Sequence, residues 1–262
     1  MPELPEVEAY RRLASSAALG RPITEVLSPD DWYLKRGLTA PVARAALTGR
    51  SFTAAHRRGK LLLLATGDDG PVLGLRFGMS GRLVVDGVAG VDALLYSSPR
   101  ADARYDRFGV RFADGGRLVV RDPRRLGGVE LDPAVDRLGP DAAGVTPAAL
   151  RRALAGSSAP LKARLLDQER LAGVGNLIAD EVLWRAGLSP LRPAGSLTPN
   201  EVRRLYRHLR ATLHDVIERG GSHTGDLMTE RRPGGHCPKD GAPLARATVG
   251  TRTTFWCPTH QS

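Results

Sequence analysis

The chain has 262 residues, of which 42% are apolar, and a formal net charge of +10 at pH 7. This length and apolar content exclude a disordered tail and are sufficient for a sizeable core, in one large domain with a smaller one or in two domains. The basic excess comes from 34 arginines and 4 lysines spread along the chain, which favours a folded surface for a polyanion such as nucleic acid. Because no apolar run reaches the roughly 18 residues of a membrane span, we expect no membrane partner and a cytoplasmic location.

The first predicted element is a helix in PEVEAYRRLASSAALG. Pro5 suits the first helical position, and Glu6 and Glu8 fall in the first turn, where the helix dipole favours negative charge. Pro2 and Glu3 precede this helix, and helix chemistry does not explain them.

Residues 1 to about 130 are otherwise predicted to be mainly antiparallel β-structure with this one helix. The predicted strands are SFTAAHRR, KLLLLAT, VLGLRFGM and GRLVV, followed by a hairpin in YDRFGVRFADGGRLVVRD. The apolar period then changes and predicts four helices, in TPAALRRALAG, APLKARLLDQERLAG, NLIADEVLWRAG and TPNEVRRLYRHLRATLHDVIERGG. Thr198 and Glu201 form a capping-box pattern at the start of the last helix. The tail from about residue 226 needs a metal, a hairpin or a neighbour to hold it.

The N-terminus carries a candidate nucleophile. Removal of Met1 would give Pro2 a free secondary amine, and an α-amine titrates near 7.7 to 8, well below the 10.4 of lysine. Such an amine can attack a sugar C1′ or a carbonyl and form an iminium ion. Glu3 could then carry protons, and Glu6 could position water or the amine. The alternative is a frayed acidic terminus, and while Met1 stays attached the nitrogen of Pro2 cannot attack.

Two further places suggest phosphate binding. Lys60 follows a basic run and a glycine at the start of the most apolar predicted strand, although a lysine there is usually only solvated. Gly173, Gly175 and Asn176 lie in a turn between two predicted helices, so the dinucleotide-binding interpretation of G-x-G fails. A helix N-terminus offers unpaired N–H groups to a phosphate, and glycines allow close approach. The alternative is an ordinary helix-to-helix turn.

The tail contains two pairs of candidate metal ligands, Cys237 with Asp240 and Cys257 with His260. Paired ligands at this spacing suggest zinc, although aspartate is an uncommon ligand in structural zinc sites. His236 is a possible substitute for Asp240. The alternative is a metal-free hairpin in LARATVGTRTTFW.

Taken together, these motifs resemble the formamidopyrimidine-DNA glycosylase and endonuclease VIII (Fpg/Nei) family of base-excision enzymes. The similarity runs along the whole chain, in MPELPEVE, RRGKLLL, FGMSG, DPRRLGG, LGPDA, LLDQERLAGVGNLIADEVL and TRTTFWCPTHQ. It implies an α+β fold with an N-terminal β-sandwich over residues 1–130, a helix-two-turn-helix DNA-binding domain over 131–225 and a zinc-finger-like β-hairpin over 226–262. It also implies damaged double-stranded DNA as the partner, a monomeric, nucleoid-associated bacterial enzyme, structural zinc, and no nucleotide cofactor.

The resemblance implies roles for individual residues. Pro2 matches the Schiff-base nucleophile, Glu3 the acid/base that drives strand cleavage, and Glu6 its supporting carboxylate. Lys60 matches the phosphate-binding lysine, and Asn176 matches the asparagine that binds phosphate.

Four more positions match DNA-contacting residues of the family. Arg252 matches the arginine at the finger tip. Met79, Arg124 and Leu126 match the residues that fill the gap left by a flipped nucleotide, where apolar or cationic side chains offset the lost stacking.

Several departures bear on the substrate. Leu126 replaces the aromatic wedge of the formamidopyrimidine branch, and Arg76 replaces a histidine. Residues 224–236 leave little room for the long loop that caps 8-oxoguanine, and the usual VYGR-type strand is replaced by ERRPGG. We therefore expect a divergent member similar to endonuclease VIII, a bifunctional glycosylase and abasic-site lyase acting through β,δ-elimination on oxidised pyrimidines. The alternatives are a glycosylase for bulky or alkylated adducts and a protein that binds damaged DNA without cutting it.

Overall fold

The computed structural model describes residues 2–91, 94 and 102–262. The chain divides into two compact units, Met1–Val135 and Asp136–Ser262. The second unit includes both the predicted helical domain and the predicted finger, and the domain boundaries at residues 131 and 226 remain predictions. None of the helices in the described part of the chain is long and apolar enough to cross a membrane.

The first unit is built on two antiparallel sheets. The five-stranded sheet has the order β1-β7-β8-β5-β6, and the four-stranded sheet has the order β2-β3-β4-β9. Their strands are β1 Ile23–Leu27, β2 Ala54–Arg58, β3 Leu61–Ala65, β4 Val72–Arg76, β5 Arg82–Val85, β6 Val88–Ala89, β7 Asp106–Phe112, β8 Arg117–Arg121 and β9 Gly128–Leu131. The apolar faces of both sheets contribute to one buried cluster. The predicted β-sandwich and the β7–β8 hairpin are therefore confirmed.

Helix α1 spans Leu4–Ala17 and adds Val7, Tyr10 and Ala14 to that cluster. The prediction of a single helix in this region was wrong, because Ala40–Leu47 form a second helix, α2. This short helix buries Ala43 and Leu47 against the sandwich. Two buried residues among several alanines give too short an apolar pattern to predict a helix. A one-turn 3-10 helix, Asp31–Tyr33, precedes it.

The second unit contains α3 Pro147–Leu154, α4 Leu161–Leu166, α5 Asn176–Ala186 and α6 Pro199–Glu218. The capping box of α6 is present as predicted, with Thr198 and Glu201 bonding to each other's backbone. Helix α4 is shorter than the predicted APLKARLLDQERLAG, because the chain turns at Asp167. The Asp167 carboxylate accepts the N–H of Glu169, which offers the backbone a turn instead of another helical bond.

The C-terminal hairpin pairs β10 Ala245–Val249 with β11 Arg252–Trp256. Its two-residue turn has Gly250 at φ 54° and Thr251 at φ 64°, the left-handed geometry that matches the twist of the flanking strands. Together with the sandwich and the helices, this hairpin completes the predicted α+β fold.

Candidate functional site

The start of α1 holds the three residues predicted for catalysis. Glu3 is the N-cap residue, and the Glu6 carboxylate accepts its backbone N–H at 2.7 Å, which forms a reciprocal capping box. Pro2 is buried, and Glu3 and Glu6 are each only 1% exposed. Met1, whose removal the nucleophile requires, lies outside the described residues. The cap fixes the backbone directly after Pro2.

A chain of ionic contacts joins α1 to the turn that carries Lys60. Glu8 on α1 pairs with Arg57 at 3.2 Å, and the Arg57 guanidinium donates to the Gly59 carbonyl at 3.0 Å. Burial raises the pKa of the Glu8 carboxyl, but Arg11 and Arg57 outweigh it and hold that pKa below its ordinary value. Lys60, half-buried, follows Gly59 in this turn. The structure therefore brings Lys60 to the helix that bears the predicted catalytic residues.

The three predicted gap-filling residues lie on two loops that are tied together by Asp122. This buried carboxylate accepts the Ser80 hydroxyl at 2.5 Å and the backbone N–H of Arg124 at 3.2 Å. Ser80 directly follows half-buried Met79, whereas Arg124 is exposed and Leu126 is 54% exposed.

The two loops also touch through their backbones. A Cβ on Gly78 would lie 2.3 Å from the Leu126 carbonyl carbon, so this contact requires glycine. Asp122 and Ser80 were not predicted from the sequence, although DPRR and GMSG contain them. The available signal was that these two polar residues lie next to predicted gap-filling residues in the sequence.

The turn before α5 has the geometry predicted for an anion site. Gly173 has φ 112°, which favours glycine, and buried Gly175 is the N-cap of α5. Asn176 is half-buried, and its Oδ1 atom is buried without a hydrogen bond from the described residues. Gln168, which the sequence analysis missed, braces the turn by accepting the Gly173 N–H at 3.0 Å and donating to the Val174 carbonyl at 3.0 Å.

The four predicted metal ligands come together, with all their donor atoms within 4.8 Å of one another. Cys237 Sγ lies 3.6 Å from His260 Nδ1, which in turn lies 3.2 Å from Asp240 Oδ2. Tetrahedral zinc with its usual bond lengths places a nitrogen and an oxygen donor about 3.3 Å apart and a sulfur and a nitrogen donor about 3.6 Å apart, close to these distances. The donor set therefore fits zinc. It contains Asp240 and not His236, which is exposed and whose N–H bonds Glu230.

Groups around this cluster orient the ligands. His260 Nε2 lies 3.1 Å from the Trp184 carbonyl, which leaves Nδ1 free to face the other donors. The Trp184 indole N–H donates to Cys237 Sγ at 3.3 Å. The backbone N–H of Ala242 is the first cause that lowers the pKa of the Asp240 carboxyl to about 2. Asp240 is therefore ionised at neutral pH, as a metal ligand must be.

Arg252, the predicted finger-tip residue, is exposed at the start of β11. The strand after it is held by buried charges. Lys162 of α4 pairs with Asp180 of α5 at 2.7 Å and donates to the Thr254 hydroxyl at 2.8 Å. Arg231 pairs with the other Asp180 oxygen at 2.7 Å. Sequence analysis missed this cluster, and the rarity of lysine in the chain was the one available signal.

The predicted residues thus form four groups. The start of α1 and the two loops with the predicted gap-filling residues belong to the first unit. The turn before α5 and the finger belong to the second.

Two family models match the chain, the formamidopyrimidine-DNA glycosylase N-terminal domain over residues 1–129 and its H2TH domain over 138–227. The formamidopyrimidine-DNA glycosylase of Chloroflexus aggregans is 36% identical over 98% of each chain. That of Thermus thermophilus is 37% identical over all of this chain and 98% of its own.

Solved structures give the same result. The complex between the Lactococcus lactis Fpg and an abasic site containing DNA superposes with a TM-score of 0.83 at 27% identity over the full length of both chains. A complex of the same enzyme with DNA containing N7-benzyl-Fapy-dG gives 0.83 at 28% identity, again over both full lengths. The predicted enzyme class, a DNA glycosylase, is confirmed by these relatives. The chain belongs to the formamidopyrimidine-DNA glycosylase family of base-excision repair.

Proposed function

We propose that this protein is a bifunctional glycosylase and lyase that acts as a monomer on damaged double-stranded DNA, with Pro2 as its nucleophile. The observation that carries the proposal is the capping box at the start of α1, which holds Glu3 and Glu6 buried directly beside Pro2. The hydrogen bonds of a helix cap do not require a secondary amine in the residue before the N-cap.

The reaction follows from these groups. The free Pro2 nitrogen attacks C1′ of the extruded nucleotide, and the damaged base leaves with the electrons of its glycosidic bond. Glu3 protonates the sugar ring oxygen as the ring opens to the iminium ion. Loss of a C2′ proton then drives β-elimination of the 3′ phosphate, and a second elimination releases the 5′ phosphate. Water hydrolyses the iminium link and returns the free amine.

The DNA-binding part of the proposal rests on the remaining groups. Lys60 and the N-terminus of α5, with Asn176, offer positive charge and N–H groups to phosphates. Met79, Arg124 and Leu126 would fill the space of the extruded nucleotide. Arg252 would bind phosphate from the hairpin. Zinc, when bound, would cross-link the two ends of the finger, whose β-hairpin is too small to be stable alone.

Borohydride trapping tests the mechanism. Reduction of the protein mixed with abasic duplex should give a covalent protein–DNA adduct, because borohydride converts the iminium ion to a stable amine. Pro2→Gly and Glu3→Gln should change or abolish the adduct. Glu25→Gln is the matched control, because Glu25 is an exposed carboxylate paired with Arg111 on the sheet. The absence of any adduct from protein with a free Pro2 would refute the lyase mechanism.

The state of the N-terminus gives a second test. Protein that keeps a residue before Pro2 should form no adduct, because the nitrogen is then an amide. Mass spectrometry of the trapped and untrapped fractions measures this directly. Trapping of a fraction that retains Met1 would contradict the assignment of Pro2.

For the substrate, we propose oxidised pyrimidines ahead of 8-oxoguanine. The segment 224–236 is held close to the helices, since the N–H groups of Asp226 and Leu227 donate to buried Glu181 at 3.0 and 2.9 Å. A segment anchored in this way is a poor cap for a purine, and Leu126 lacks an aromatic ring. Formamidopyrimidines are the second candidate, because the relatives carry that name.

A panel of defined duplexes separates these substrates. We expect faster release of an oxidised pyrimidine than of 8-oxoguanine, and the reverse order would refute the substrate proposal. Release of an alkylpurine adduct would instead support the bulky-adduct alternative. Tight, salt-sensitive binding to abasic duplex without any product over hours would support the rival hypothesis of a non-cutting DNA-binding protein. The cytoplasmic location and nucleoid association remain predictions.

A further inference from the structure

Trp32 is an exposed tryptophan that the proposed mechanism does not use. It lies in the one-turn helix Asp31–Tyr33 and is 68% exposed, the largest exposed fraction among the large apolar side chains of the described residues. Its neighbour Tyr33 is fully buried. An exposed indole beside a rigidly buried tyrosine is held in place, not left on a mobile loop.

The segment that carries Trp32 is bonded to the loop that contains Arg124 and Leu126. Asp30 makes a two-pronged ion pair with Arg125, at 2.7 and 2.6 Å. The Tyr33 hydroxyl donates to Asp122 at 3.3 Å, the same carboxylate that orders the backbone around Arg124.

The fit between the two segments is close. A Cβ on Gly127 would lie 2.2 Å from the Tyr33 hydroxyl oxygen, so this approach requires glycine. Trp32 is thus fixed beside a loop whose Leu126 is also exposed.

Trp32 has cationic neighbours, two of which are paired with carboxylates, Arg125 with Asp30 and Arg36 with Glu130. The Lys35 ammonium lies 4.6 Å from the centroid of the indole ring, and exposed Arg36, Arg124 and Arg125 lie on the same two segments. An exposed aromatic ring with cationic side chains on the same segments is the combination that binds unstacked nucleobases while the cations bind the backbone.

We propose that Trp32 is a further damage-recognition residue, whose indole stacks on a nucleobase left unstacked at the lesion. It thereby supplies the aromatic contact that Leu126 cannot make. This inference rests on the proposed function, because it requires a protein that extrudes a nucleotide from duplex DNA.

Equilibrium binding at one fixed salt concentration tests the proposal. The probes are a short duplex with a tetrahydrofuran abasic analogue and the same duplex undamaged. The variants are Trp32→Ala, Trp32→Phe and, as a matched control, Val42→Ala, which removes a 51% exposed apolar side chain from α2. Removal of one base–aromatic stack should weaken binding to the abasic duplex about tenfold. Binding to the undamaged duplex should hardly change, Trp32→Phe should retain most of the affinity, and Val42→Ala should match the wild type.

Tryptophan fluorescence gives a second readout that does not depend on the alanine variant folding. The chain has three tryptophans, of which Trp184 is only 4% exposed and Trp256 is half-buried, so stacking of the more exposed Trp32 should quench a distinct part of the emission. That quenching should disappear in Trp32→Phe.

The outcomes separate the two proposals. If the wild type does not prefer the abasic duplex, both the proposed function and this inference fail. If it does, and Trp32→Ala behaves like Val42→Ala or weakens both duplexes equally, the inference is overturned and the proposed function stands. Undiminished quenching in Trp32→Phe would also overturn it.

Discussion

Replacement of Lys162 by methionine should strongly destabilise the second unit. The Lys162 side chain is fully buried, as is that of its partner Asp180, and their charged atoms lie 2.7 Å apart. Removing one member of a buried ion pair costs about 3–5 kcal/mol, because the other charge is left without compensation. Asp180 keeps Arg231 at 2.7 Å, so we expect the low end, about 3 kcal/mol. For a chain of this size, that corresponds to a fall in Tm of about 6–12 °C.

The effect should also depend on pH. Burial raises the pKa of the Asp180 carboxyl, although Lys162 and Arg231 oppose that rise. Without Lys162 the pKa of Asp180 rises further above that of the unfolded chain, so between the two pKa values the folded variant binds more protons than the unfolded chain. A carboxyl whose pKa is higher in the folded than in the unfolded state does not lower the stability at pH values below its unfolded pKa, near 3.9. It lowers the stability increasingly as the pH rises from there through the folded pKa. The loss should therefore be smaller at pH 5 than at pH 8.

Denaturation at these two pH values measures the prediction. Arg137→Met is the control, because Arg137 lies 4.0 Å from Glu169 and both are more than 60% exposed, which predicts less than about 0.5 kcal/mol. Adding Asp180→Asn to Lys162→Met should remove the pH dependence but not restore the stability, because Arg231 is then buried without its carboxylate. A loss no larger than that of the control, or a loss equal at both pH values, would refute the reasoning.

Three other predictions concern the second unit. The two-pronged contact with Arg192 is the first cause that lowers the pKa of Glu201 to about 2, so Glu201→Gln should cost about 1 kcal/mol at pH 7, after screening by solvent. In an acid titration of stability, this loss should disappear as the pH falls from 4.5 toward 2. Cys257→Ser should abolish the binding of one zinc per chain, measured by metal analysis, and chelation should lower the Tm of the wild type but not of the variant. Gly173→Ala should destabilise the protein by about 1–3 kcal/mol, because φ is 112° there, and should weaken abasic-duplex binding, measured at fixed salt.

Local patterns in the sequence were sufficient to predict most of the elements. The alternation of Phe108, Val110 and Phe112 before a glycine-rich turn predicted β7 and β8, and Thr198 with Glu201 predicted the start of α6. These features need only neighbours within a few residues. Helix α2 was missed and α4 was predicted too long, because a short alanine-rich stripe and a side-chain turn at Asp167 leave almost no periodic signal.

Contacts between distant parts of the chain could not be predicted in the same way. Asp122 joins the Met79 and Arg124 loops, and nothing near it in sequence indicates Ser80 as its partner. Lys162 meets Asp180 only after α4 and α5 have packed. The metal ligands are the exception, since the spacing of Cys237 and Cys257 already indicated a shared site.

The two capping boxes in the described part of the chain show why the N-terminal carboxylates call for a functional explanation. At α6, Thr198 is the N-cap and Glu201 the partner, an uncharged hydroxyl with one carboxylate at the surface. At α1 the same hydrogen bonds are made by Glu3 and Glu6, both 1% exposed. Glutamate is not among the favoured N-cap residues, and two carboxylates buried together repel each other. A threonine at position 3 would serve the helix better, and the carboxylate of Glu3 therefore supports the role that we propose for it beside Pro2.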